Sequence, residues 1–271
     1  MKILKSNKKM NLSLKGKRAI VCGSTQGIGK AIAIKLAKQQ ANITLIARNE
    51  NKLKNVLDLL ESSPKQKHNF IVADFNYPKN LKKEIKKFLS KGNTAEILIN
   101  NTGGPPAGKM IEAKKKEFDQ YISMHLHCSH YLVKALEPHM KKNKFGRIVN
   151  IISISVKAPI QNLGISNTVR WAMASWSKTL SFELGKFGIT VNNILPGFTL
   201  TNRLKDLMVS NAKTEKKSLK MIENEYKNTI PAERFASPEE IASAACFLCS
   251  KEASYINGIN LPVDGGYSVS L

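Results

Sequence analysis

Short apolar runs alternate along this chain with longer stretches whose apolar positions recur at helical spacing. Residues 19–22, 42–48, 70–75, 97–103, 146–153 and 190–197 have strand length and are rich in Ile, Val and Leu. Between them, stretches such as residues 31–37 carry apolar side chains three and four apart, as a helix with one buried face does. Strands alternating with helices predict β-α-β units. Such units close a doubly wound parallel sheet of the Rossmann type, with right-handed crossovers and helices on both faces. No repeat, low-complexity tract or interdomain linker interrupts the pattern. One α/β domain over residues 15–271 is expected, behind a basic N-terminal extension over residues 1–14.

In such a fold the ligand lies at the carboxyl ends of the strands, so the residues that end each run are the candidates for chemistry. The first run passes into Gly23-Ser24-Thr25-Gln26-Gly27-Ile28-Gly29, followed by the helical stretch. Glycines let a backbone approach a pyrophosphate, and the amides and positive end of the following helix stabilise its charge. Alone, a glycine turn with this spacing is a weak signal. Further motifs follow in order: Asn101-Thr102-Gly103 ending the fourth run, Ser153 ending the fifth, Pro196-Gly197 ending the sixth, then Pro238-Glu239-Glu240-Ile241-Ala242 and Val263-Asp264-Gly265-Gly266. With this ordered set, the chain resembles the short-chain dehydrogenase/reductase family from about Lys17 to Tyr267.

The resemblance implies a nicotinamide dinucleotide cofactor. It would be held by Gly23, Ser24, Thr25, Gly27, Ile28 and Gly29 at the phosphates and by Asp74 and Phe75 at the adenine. Asn101, Thr102, Gly103, Pro196, Gly197 and Thr199 would lie along its length. Charge bears on which cofactor. NAD-selective sites end the second strand with an acid, whereas Arg48 stands there in this chain. Arginine pairs with a 2′-phosphate, and Ser24 and Thr25 add hydroxyls, so NADP(H) is favoured over NAD(H).

The family's tyrosine and lysine, counted from Ser153, fall on Ser166 and Arg170, and the run from Leu180 to Asn192 keeps the frame. His125 stands where the family usually has an asparagine that holds a relay water. In the family the phenol exchanges a proton with the substrate, and the lysine lowers its pKa and binds the nicotinamide ribose. A serine hydroxyl is a weaker acid and is shorter by a ring. Arg170 would hold the ribose but stays charged. One reading is a carbonyl reductase in which Ser153 and Ser166 orient the substrate oxygen or a water and His125 supplies the proton, an imidazole being suited to acid work near neutrality. A second is hydride transfer to an activated alkene or imine. A third is a dinucleotide-binding sensor or scaffold without turnover. Against the third, both replacements are polar and Arg170 keeps the positive charge. Gly103-Gly104-Pro105-Pro106 adds a stiff wall after the cofactor strand.

Within the family the chain resembles the 3-oxoacyl-acyl-carrier-protein reductase type, from the length, Arg234 after Pro231 and Asp264-Gly265-Gly266. Glu233 replaces the glycine usual before that arginine. The resemblance thus suggests a small-molecule or acyl-thioester substrate, with acyl carrier protein as a candidate partner. It also suggests a homodimer or homotetramer built on the helices over residues 116–140 and 166–187, and a substrate lid over residues 199–232, a role sequence alone leaves open beside a plain surface helix pair.

The formal net charge is +23, from 37 lysines and 6 arginines against 20 acidic residues. Lysines spread over helix faces fit a solvated surface or attraction to an acidic partner better than a nucleic-acid interface, which concentrates arginine and aromatic residues. No apolar run approaches a membrane span and the basic start lacks a signal peptide's apolar segment, so a cytoplasmic location is expected. Cys246 and Cys249 have redox or metal spacing but lie in an apolar helical stretch; with Cys22 and Cys128 they read as core thiols. His125, His127 and His130 scatter around a helix, so no metal site is expected.

Overall fold

A computed structural model describes residues 10–270. The chain alternates β1 (Arg18–Cys22), α1 (Gly27–Lys38), β2 (Asn42–Ala47), α2 (Glu50–Leu57), β3 (Asn69–Val72), α3 (Pro78–Ser90), β4 (Ile97–Asn100), α4 (Lys115–Ile122), α5 (Cys128–Lys142), β5 (Gly146–Ile151), α6 (Gly164–Gly185) and β6 (Ile189–Pro196). Two further helices, α7 (Asn202–Glu215) and α8 (Leu219–Asn228), then precede α9 (Pro238–Cys249) and β7 (Asn260–Val263). All seven strands are parallel, in the order β3-β2-β1-β4-β5-β6-β7. This is the α/β, doubly wound Rossmann-type sheet expected from the alternation of runs.

Central strands are buried on both faces, which is why they read as unbroken apolar runs instead of alternating ones. One face is covered by α1, α2 and α9, whose Ile32, Leu36, Leu53 and Ile241 pack on Val21, Leu45 and Ile99. The other is covered by α3, α5 and α6, with Leu81, Ile85, Leu132 and Leu184 against Ile20, Leu98 and Ile148. Cys246 and Cys249 lie in the first core, Cys22 and Cys128 in the second; all four are buried free thiols. Burial pushes the Cys246 thiol up to about 11, which leaves it protonated and unreactive.

Strand β7 was not singled out by the apolar pattern. It is four residues long, contains Pro262, and lies on the sheet edge, where a missing amide costs no ladder bond. Residues 1–9 of the expected N-terminal extension lie outside the described residues. Leu14 is already part of the fold: it is buried and its amide donates to the Gln39 carbonyl.

From β1 the chain winds outward through β2 and β3, then returns to place β4 on the other side of β1. The loops after β1 and β4 therefore diverge to opposite faces and leave a crevice at their carboxyl ends.

Candidate active site

Helix α1 opens onto that crevice. Its N-cap, Gln26, makes no side-chain cap, and no acid lies in its first turn. Helices α2, α7, α8 and α9 are by contrast all capped, by Asn49, Thr201, Ser218 and Ser237. The first amides of α1 are thus left for an external acceptor, at the positive end of a 12-residue helix. Gly23 and Gly27 take φ of 59° and 51°, the left-handed region. A Cβ on Gly23 would stand 2.5 Å from the Asn101 carbonyl oxygen, and one on Gly29 would stand 2.6 Å from Asn101 Nδ2. Asn101 holds the turn in place, its Nδ2 donating to the Cys22 and Gly23 carbonyls at 3.2 and 3.3 Å. A bare, uncapped turn of this kind accommodates the diphosphate of a dinucleotide.

The other expected cofactor residues divide into groups. Arg48 is exposed just past the end of β2, and no salt bridge or side-chain hydrogen bond engages it among the described residues. Asp74 lies past the end of β3 and accepts from the Asn76 amide at 2.9 Å, beside buried Phe75. Ile28 and Thr25 are half-buried in the turn, and Pro196 and Gly197 end β6. Two expectations need correction. Ser24 is fully buried, its hydroxyl 3.4 Å from the Ile46 carbonyl, so it faces the sheet instead of a 2′-phosphate. Thr199 is also buried and donates to the Gly197 carbonyl at 3.1 Å. Thr201, two residues on, is half-buried and faces the glycine turn instead: a Cβ on Gly27 would lie 3.1 Å from its Cγ2. Sequence reading missed Thr201 because both threonines follow Pro196-Gly197 closely and only the bridge between Thr199 and Ala236 decides which turns inward.

Beyond β4 the chain builds the other wall. The helix expected over residues 116–140 is interrupted by a π-helical turn at Ser123–His127, which swings His125 inward while His127 and His130 remain exposed. Thr102 Oγ1 lies 2.7 Å from His125 Nδ1, and His125 Nε2 lies 3.1 Å from the Gly103 carbonyl. A carbonyl only accepts, so Nε2 carries the hydrogen and Nδ1 accepts from Thr102. Burial, and then the charge of Arg170, hold the His125 pKa well below the ordinary imidazole value, although the bond to Gly103 opposes them. The ring is neutral near pH 7.

Arg170 is buried on α6, one turn after buried Ser166. Its Nη1 donates to the Ile151 carbonyl at 3.0 Å, beneath the loop that carries Ser153, and its Nε has no partner. Burial, then Arg203, lower its pKa to about 10, so it stays charged at neutral pH. Ser153 is half-buried and accepts from the Ser155 amide at 3.1 Å, which leaves its hydroxyl hydrogen free to donate. Arg170 thus bridges the Ser153 loop and the His125 wall, and Gly104 backs onto it: a Cβ there would be 3.5 Å from Arg170 Nη2.

Helices α7 and α8, within the segment expected as a lid over residues 199–232, have a small core of their own. Leu204, Met208, Ile222, Ile230 and Phe235 pack with Phe198, Tyr226 and Tyr267. No group of three or more potential metal ligands occurs among the described residues, and no helix there is long and apolar enough to cross a membrane.

Known proteins place this arrangement. Residues 23–268 match the family described as enoyl-(acyl carrier protein) reductase. The chain is 33% identical over 258 residues to the NADPH-dependent reductase BacG of Bacillus subtilis, covering 93% of this chain and 98% of BacG. It is 32% identical over 262 residues to the 3-oxoacyl-[acyl-carrier-protein] reductase FabG of Buchnera aphidicola, covering 94% and 98%. Its fold superposes on L-sorbose reductase from Gluconobacter frateurii, crystallised with NADPH and L-sorbose, with a TM-score of 0.90 at 32% identity, covering 97% of this chain and all of that one. Motif order, sheet order and identity along nearly the whole chain agree: the protein belongs to the short-chain dehydrogenase/reductase family.

Proposed function

We propose that this protein is an NADP(H)-dependent reductase of carbonyl compounds in which Ser166 and Arg170 occupy the places of the family's tyrosine and lysine. The observation that carries the reading is the buried, charged Arg170 with a free Nε, set between the Ser153 loop and the His125 wall. Cofactor identity is supported by Arg48, which stands unengaged past β2 where a 2′-phosphate would lie, and by the NADPH-using relatives BacG and L-sorbose reductase.

When bound, the reduced nicotinamide supplies a hydride to the carbonyl carbon. The protein's task is then the oxygen, which gains the former π pair and must be stabilised and protonated. Ser153 donates a hydrogen bond to it, and the Arg170 cation offsets the developing negative charge in a dry setting, where such stabilisation is largest. His125, neutral and with its Nε2 hydrogen already given to Gly103, is poorly placed to act as a stored acid. It fixes the Thr102 hydroxyl instead, and the proton comes from water that Ser166 helps to orient, leaving hydroxide to the solvent. Helices α7 and α8 act as the lid that excludes bulk water during the step. A 3-oxoacyl thioester, free or on acyl carrier protein, is the substrate that FabG's name suggests. The exposed faces of α5 and α6 would carry a homodimer or homotetramer, in the cytoplasm.

Fluorescence titration with NADPH and NADH, followed by oxidation of NADPH with an acetoacetyl thioester and a panel of ketones, tests this reading. Preferential NADPH binding with turnover is expected, and Ser153→Ala should lower kcat by about 100-fold or more, as loss of an oxyanion donor does. NADPH binding with no turnover across the panel would overturn it in favour of a dinucleotide-binding sensor.

A further inference from the structure

The mouth of the site holds a second arginine that the carbonyl chemistry above does not use. Arg203 lies in the first turn of α7, half-buried, and its Nη2 donates to the Pro105 carbonyl. It faces the same point as Arg170. A Cβ on Gly104 would stand 3.5 Å from Arg170 Nη2 and 3.8 and 3.9 Å from Arg203 Nε and Nη2.

This juxtaposition is unfavourable for the protein alone. Two guanidinium groups converge, and one of them sits at the positive end of a 14-residue helix with no acid in its first turn. Burial lowers the pKa of both, and Arg203 adds to the lowering at Arg170. Asp206 and Tyr121 partly offset this at Arg203, but Asp206 makes no salt bridge with it, and among the described residues neither arginine is in one. Buried Arg170 also keeps Nε unpartnered. Buried charges ordinarily have a partner. Arg18, by comparison, is matched by Glu96, and Arg234 by Glu240.

We infer that the missing partner is an anionic group of the substrate: this site takes a ketone or aldehyde that also bears a carboxylate, held between Arg170 and Arg203 beside Gly104. The inference rests on the carbonyl-reductase reading. Arg203 is then a specificity-determining residue, since a planar guanidinium fork is matched to a carboxylate. It rides on α7, so engaging the carboxylate also ties the lid to the Gly104-Pro105 wall. The net charge of +23 favours the approach of such a substrate.

The test uses 2-, 4- and 5-oxohexanoate and their methyl esters with NADPH, in the full-length protein and in Arg203→Gln and Arg203→Lys. At least one acid should be reduced with kcat/KM about tenfold or more above its ester, since a charge-assisted pair of hydrogen bonds is lost on esterification. In Arg203→Gln that preference should collapse, with KM for the acid rising by far more than Kd for NADPH, and Arg203→Lys should recover part of it. Equal use of acids and esters would overturn the inference while sparing the reductase reading. So would an Arg203→Gln variant whose main defect is in NADPH affinity, because the anion would then be the cofactor's diphosphate. Quenching of bound-NADPH fluorescence by the acids separates the two failures. Saturable acid binding lost in Arg203→Gln but without turnover sinks the reductase reading and keeps the anion site. Absence of acid binding at millimolar concentration sinks the anion site.

Discussion

His125 shows how one side chain's surroundings reset its chemistry. In the sequence it is an imidazole with an ordinary pKa, placed where a general acid would be useful. In the structure it is buried, near a guanidinium, and hydrogen-bonded at both nitrogens. Two pH effects follow. If the ring stays neutral, kcat for carbonyl reduction should vary little between about pH 6 and pH 8, because no imidazolium titrates in that interval. An inflection near 6.5 that vanishes in His125→Asn would assign the acid role to His125 after all. Stability moves in a defined direction. The folded pKa lies below the unfolded value of 6.5, so the unfolded chain binds the proton more readily. The contribution is intact above pH 6.5 and is lost as the pH falls from there towards the folded pKa. His125→Asn should therefore flatten the decline of Tm between about pH 6.5 and pH 5, measured against the parent protein.

Elements join through a row of amides, buried at Asn100, Asn150 and Asn193 and exposed at its β7 end. Asn100, Asn150, Asn193 and Asn260 are register partners across β4, β5, β6 and β7. Asn100 Nδ2 donates to Asn150 Oδ1 at 2.8 Å, Asn150 Nδ2 donates to Asn193 Oδ1 at 3.0 Å and to Ser177 Oγ at 2.9 Å, and Asn193 Nδ2 donates to Asn260 Oδ1 at 2.8 Å. The row lies immediately below Asn101 and Ser153, and through Ser177 it ties the sheet to α6, which carries Arg170. Asn150→Ala removes a donor and an acceptor at the centre and strands three neighbours. A loss of about 2–4 kcal/mol is expected by urea denaturation, since unsatisfied buried amides cost roughly 1–3 kcal/mol each. Asn150→Asp, which can accept but not donate, should lose kcat as well as stability by displacing α6 against the Ser153 loop; unchanged kcat would deny the row any part in positioning. This row also marks a limit of the sequence. Strands were legible because fully buried β-branched runs have few alternatives, and the glycine turn because its spacing is rigid. The asparagines read as polar interruptions, and their pairing appears only when register is known. Glu233 is similar: its φ of 53° lies where glycine is favoured, so the replaced glycine left its backbone conformation behind. The convergence of Arg203 on Arg170 was equally hidden, since 33 residues and a helix break separate them in the chain.

At the scale of the whole molecule, the question is what covers α6. Val169, Met173 and Leu180 are buried within the single chain, and Trp176 is half-buried with its Nε1 donating to His130 Nδ1 at 3.3 Å. The opposite face presents Phe182, 76% exposed, and Trp171, 50% exposed. Leaving a phenyl ring that open forgoes about 1.5–3 kcal/mol of burial, and the Lys178 ammonium 5.2 Å from its centroid covers little of it. In a lysine-rich surface that otherwise repels copies of itself, an apolar residue here favours self-association along α6. Light scattering should give a multiple of the 30.1 kDa chain mass, and Phe182→Lys should shift it towards monomer while NADPH affinity stays within about twofold, because α6 presents Arg170 on a different face from Phe182. A monomer in the parent protein would remove the homo-oligomer from the proposed function. An oligomer indifferent to Phe182→Lys would place the interface elsewhere, with the Trp171 end of the helix as the next surface to change.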